Sequence, residues 1–151
     1  MEIITTNRKA NFEYEILDTL EVGIKLVGPE VKSLRDHKAS LDGAYVYIQD
    51  SEVYLSGMHI DEYKHSGGSI SWKTMHEPKR TRKLLLHRKE IARFAEKSTE
   101  KGFTIVPLKV YFNDKGIAKV EIAVVKGKKL HDKRETEKKK QADLDIKRAM
   151  K

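Results

Sequence analysis

The sequence predicts a mainly β protein: a small antiparallel β-barrel with two to three flanking helices and a disordered basic C-terminal tail. Three observations carry that expectation. Apolar residues recur with period two in several short runs, as in half-buried strands. Two segments open with helix-start chemistry. The core-forming pattern stops at Val125, and cations dominate the remaining residues to the C-terminus. The expected division is an N-terminal arm over 1–11, a barrel domain over 12–126 and a basic tail over 127–151.

Residues 1–11 are polar and read as an arm for a partner or a frayed terminus. From Phe12 the period is two: Phe12, Tyr14 and Ile16 alternate with charged residues, and Val22, Ile24 and Leu26 do so again. These predict two strands joined by Asp18–Glu21, with Gly23 permitting a bulge. Gly28-Pro29-Glu30 opens a helix, with Gly28 at the N-cap, Pro29 at N1 and Glu30 complementing the dipole. Val31, Leu34 and Lys38 form its expected inward stripe.

Tyr45–Gln49 and Val53–Met58 predict a hairpin around Asp50-Ser51. Tyr45, Val46, Tyr47 and Ile48 place apolar groups on both faces, which suits a central strand. Residues 61–78 have no period and hold Gly67-Gly68 and Trp72, the single tryptophan. Closing over the core is the commoner use of such a Trp; stacking on a base is the alternative.

Pro78–Ile91 begins with Lys79, Arg80, Arg82 and Lys83, then runs through Leu84-Leu85-Leu86 to a helix start. Unpaired charge is costly to bury, so the leucines are expected to anchor this segment with its cations outward, where they suit a phosphate backbone. His87 stands at the helix cap and Glu90 in the N3 position of a capping box. Ile91, Phe94 and Ala95 face inward, and Gly102 ends the helix. Phe103–Phe112 and Ile117–Val125 predict a second hairpin, with Pro107 at an edge or bulge. Short alternating strands with two helices fit a barrel of oligonucleotide-binding type.

Hydrophobic residues make up 38% and charged residues 36% of the 151, enough for one small core but not for one spanning the chain. Of the net charge of +8, +6 lies in residues 126–151. That asymmetry points to a polyanion, nucleic acid before an acidic membrane surface. No cysteine is present, which excludes disulfides and thiolate metal sites. No signal peptide or membrane-length apolar run is seen, so a cytoplasmic protein is expected. His59, Asp61, His65, His76 and Glu77 lack metal-ligand spacing, and neither metal nor cofactor is expected. No nucleophile motif or phosphate loop appears, so no catalytic residue is assigned. A nuclease using His76, Glu77 or His131 is the enzymatic alternative, though nothing singles those residues out.

Five collinear stretches resemble the small protein B (SsrA-binding protein) family. They are Asn7-Arg8-Lys9-Ala10 with Tyr14; Glu21-x-Gly23; Glu30-Val31-Lys32-Ser33-Leu34-Arg35; Arg80-Thr81-Arg82-Lys83-Leu84-Leu85-Leu86; and Gly127-Lys128-Lys129-x-His131-Asp132-Lys133-Arg134. The resemblance implies a monomeric, non-enzymatic partner of tmRNA in trans-translation, which joins its tRNA-like half at stalled ribosomes. Elongation factor Tu is a further candidate partner. By position, the tmRNA face would comprise Arg8, Lys9, Glu21, Arg80, Arg82, Lys83, Leu85 and His87, the last replacing an Asn common in relatives. The contact with the small-subunit decoding centre and its rRNA would comprise Lys128, Lys129, His131, Asp132, Lys133 and Arg134. Met150 would add to that ribosomal contact, in a tail that the resemblance implies becomes helical in the empty mRNA path. A structural ribosomal or ribosome-assembly protein with a basic extension is the alternative.

Overall fold

A computed structural model describes residues 1–62, 77–99 and 101–127. The readings of Trp72, His65, His76 and residues 128–151 fall outside the described residues. Nine strands and three helices are described, in the order β1 (Glu2–Thr6), α1 (Arg8–Glu13), β2 (Tyr14–Ile24), α2 (Gly28–Arg35), β3 (Ala39–Ser40), β4 (Tyr45–Gln49), β5 (Glu52–Ser56), β6 (His59–Ile60), β7 (Arg82–Leu85), α3 (Arg88–Ser98), β8 (Phe103–Phe112) and β9 (Ala118–Gly127).

The chain is mainly β. Strand pairing runs β8-β4-β5-β7-β2-β9 and returns through β9 to β8, so the ring of antiparallel pairs closes. Val22, Leu55, Leu84, Val110 and Ile122 point into one core, which Phe94 of α3 and Leu34 of α2 complete. A smaller cluster forms on the opposite face of β8 and β9, where Ala10 of α1 covers Val106, Ala123 and Val125.

Three elements differ from expectation. Residues 1–11 are not an arm: Glu2–Thr6 pairs with β8, Ile4 is buried, and α1 comes next. Asn7 fastens the junction, donating from its side chain to the Pro107 carbonyl at 2.9 Å and from its backbone to Leu108 at 2.7 Å. A β-branched run needs only an edge to pair with, and that edge comes from the far end of the chain.

The two strands expected over 12–26 are one strand, β2. Thr19 and Leu20 pair with Ala123 and Ile122, and an extra residue, Leu17, sits at a register shift between Ile16 and Asp18. The bulge is therefore there and not at Gly23. Val27, not Gly28, caps α2; Leu34 is buried and Val31 packs against the core as expected, but Glu30 and Ser33 are buried beside them and Lys38 is exposed.

Elsewhere the turn chemistry holds. Asp50 and Ser51 have φ of 52° and 61°, the pair of positive values a two-residue hairpin turn needs. β4 is central, between β8 and β5. Pro107 stands at the register shift between Pro107 and Lys109, where a missing N–H does no harm.

Candidate nucleic-acid interface

β7 decides what faces outward. Its side chains alternate, as in any strand: Arg82 and Leu84 are buried, while Lys83 is half-buried and Leu85 exposed. The expectation of three inward leucines and outward cations is corrected on two counts. Leu85 is 53% exposed, and Arg82 is 0% exposed.

Arg82 is buried because its charge is matched. Its Nε donates to Glu30 Oε2 at 2.5 Å, its Nη1 to the Met58 carbonyl at 2.8 Å, and its Nη2 to the Pro78 carbonyl at 3.1 Å. Glu30, itself 0% exposed, also accepts from Arg80 Nη2 at 2.5 Å and from the Val27 N–H at 3.0 Å. Burial pushes the Glu30 carboxyl up, but the hydrogen bonds from Arg80, Val27 and Arg82 outweigh it and hold the group below its usual range. Burial lowers Arg82 as well, from a value so high that it stays a cation. Arg82 is thus removed from any phosphate-facing set, and Arg80, partly exposed, is committed to the same carboxylate.

The outward residues of β7 open onto a groove of about 1080 Å³ between α3 and the strands β2 and β7, bounded by the β4–β5 turn. Glu21, Gly23, Lys83, Leu85, His87 and Lys119 are among the residues lining it. Four of these six were expected at an RNA face: Glu21, Lys83, Leu85 and His87. Gly23 pairs with Leu85, and a Cβ on Gly23 would lie 3.3 Å from the Leu85 Cβ. The glycine therefore lets the leucine side chain lie flat across β2.

His87 caps α3 with its ring exposed, while Glu90 accepts from the His87 N–H at 3.0 Å. Lys83 Nζ meets Glu52 Oε1 at 2.9 Å, and Tyr54 donates to Glu52 Oε2 at 2.6 Å. On β2, Glu21 lies opposite Glu121, and Lys109 approaches Glu121 at 3.6 Å. The Tyr111 hydroxyl donates to Glu21 Oε2. Burial, then this carboxylate, pushes the Tyr111 phenol above its ordinary value, so it remains a donor. Arg8 and Lys9 are exposed on α1, outside the groove lining. Lys128, Lys129, His131, Asp132, Lys133, Arg134 and Met150 lie outside the described residues.

The pairing of Glu30 with Arg82 and the contact of Tyr111 with Glu21 escaped the sequence reading. A signal for each existed. Strict alternation along Arg82–Leu85 forces one cation inward with Leu84, which then requires a buried anion. Tyr111 lies between Val110 and Phe112, both core residues, so alternation puts it on the outer face of β8.

A groove that gathers a carboxylate, an imidazole, ammonium groups and an exposed leucine offers hydrogen-bond acceptors, phosphate-matching charge and an apolar surface for bases. The sequence model of the SmpB protein family matches residues 4–151. An SsrA-binding protein of Rhodopirellula baltica is 49% identical over 147 residues, spanning 97% of this chain and 81% of that protein. One from Wolbachia sp. subsp. Drosophila simulans is 52% identical over 151 residues, spanning 100% and 98%. A chain of a solved structure described as "tmRNA-SmpB: a journey to the center of the bacterial ribosome" superposes with a TM-score of 0.67 at 46% identity, covering 83% of this chain and 84% of that one.

Proposed function

The chain belongs to the SmpB protein family, and from that membership we propose that it is a cytoplasmic, non-enzymatic RNA-binding adaptor of trans-translation. Its closed ring of strands acts as an oligonucleotide-binding-like barrel. The groove beside β7 takes the tRNA-like half of tmRNA, with Lys83 on phosphate, Leu85 against a base or ribose, and Glu21 and His87 on hydrogen-bonding edges. The tail, through Lys128, Lys129, His131, Asp132, Lys133 and Arg134, takes the small-subunit decoding centre and the empty mRNA path. The protein thereby brings tmRNA to stalled ribosomes.

The observation that carries this reading is the convergence of Glu21 from β2 with Lys83, Leu85 and His87 from the stretch that runs from β7 into α3, on one groove. Competition between the tRNA-like half of tmRNA and an elongator tRNA, at one fixed salt concentration, tests it. Preference for the tRNA-like half is expected. Equal binding would instead favour a structural ribosomal role with generic RNA affinity.

A further inference from the structure

Glu21 is an unusual group to present to RNA. A carboxylate repels phosphates, so its useful partner is a hydrogen-bond donor on the RNA, and an acceptor recognises a donor only when it is held in place. Glu21 is exposed and lies opposite Glu121, a like charge, across the β2–β9 pairing. Like charges directly opposed in a sheet push apart. Lys109 attends to Glu121 at 3.6 Å. What holds Glu21 comes from β8, two strands away: the hydroxyl of Tyr111 on Oε2. Tyr111 pairs with Lys119, and Lys119 with Gly23, so its ring must reach diagonally over β9 to meet Glu21. That ring is fixed in turn, only 3% exposed, with the Lys109 ammonium 5.5 Å from its centroid.

We propose that Tyr111 is a positioning residue for RNA recognition: its hydroxyl occupies Oε2 of Glu21, sets the carboxylate's direction and leaves Oε1 for a donor on the RNA. Tyr111 is too buried to meet the RNA itself, and Glu21 is the group its hydroxyl holds. This inference rests on the reading of Glu21 as an RNA contact.

The test is a double-mutant cycle in the full-length protein, with the tRNA-like half of tmRNA as probe. Tyr111→Phe removes one oxygen and keeps the ring. It is expected to weaken binding about tenfold, the order a hydrogen bond to a charged group supports, with an unchanged salt slope and an unchanged thermal midpoint. Glu21→Gln weakens binding at least as much, and the double variant binds like Glu21→Gln alone. Glu21→Asp keeps the charge but withdraws it from the hydroxyl. It reproduces the Tyr111→Phe loss without altering β8, which guards against a folding artefact. If Glu21→Gln weakens binding while Tyr111→Phe and Glu21→Asp do not, or if the losses add fully, Tyr111 does not position Glu21. If Glu21→Gln binds like wild type, the reading of Glu21 as a contact fails first, and the inference with it.

Discussion

Glu30 of α2 and Arg82 of β7 lie 2.5 Å apart with neither side chain reaching solvent. This pair joins the helix after β2 to the strand that borders the groove, and it dictates which residues of β7 face outward. With Arg82 turned in, alternation turns Lys83 and Leu85 out.

Arg82→Ala leaves the Glu30 charge buried with Arg80 as its remaining cation. Removing one partner of a buried pair costs about 3–5 kcal/mol, measurable by urea unfolding. Because Arg82 meets no phosphate, RNA binding by the folded fraction is expected to keep its wild-type salt slope. A slope flattened by one unit would mean that Arg82 turns outward when RNA binds.

The same pair sets an acid limit. The Glu30 carboxyl is held below its unfolded value of 4.5, so its contribution is fully present above that value and is lost as pH falls through the lower folded one. Asp18, lowered first by its hydrogen bond from Lys97, titrates in the same direction. A Glu30→Leu/Arg82→Met variant is therefore expected to lose less stability below pH 4.5 than wild type, while the Asp18 part of the loss persists. Denaturant midpoints at stepped pH give the difference curve; identical curves would exclude Glu30 as a source.

Within the groove, charge and contact separate. Lys83→Ala is expected to lower RNA affinity and flatten the dependence of log affinity on log salt by about one unit if it neutralises one phosphate. Leu85→Ala is expected to lower affinity at every salt concentration with the slope unchanged. Filter binding across a salt series distinguishes the two.

Gly23→Ala inserts a methyl 3.3 Å from the Leu85 Cβ, so Leu85 must shift by a few tenths of an ångström. A several-fold loss of RNA affinity is expected with little change in thermal midpoint. Leu85→Ala removes the Cδ1 and Cγ contacts at 3.5 and 3.7 Å but keeps the Cβ, so in its background the Gly23→Ala loss is expected to shrink rather than vanish.

Truncation after Lys126 removes most of the net positive charge, +5 of +8. Affinity for the tRNA-like half is expected to stay largely intact, and tagging of nascent chains on stalled ribosomes to stop. A matching loss of both would argue against two separable surfaces.

Much of the fold was legible in the chain itself. Period two marked the strands, Asp50-Ser51 marked the tight turn, and Glu90 marked the start of α3. All of these arise from interactions among near neighbours, which a linear reading contains. Tertiary structure alone decided the rest. It gave Glu2–Thr6 an edge to pair with on β8, a distant segment of the chain, and it carried β2 unbroken past Asp18 because β9 was there to pair with it. It placed Glu30 against Arg82 and Tyr111 against Glu21, separations of 52 and 90 residues. A charged side chain is buried or exposed according to whether a counter-charge waits at the same point in space, and spacing along the chain carries little of that information.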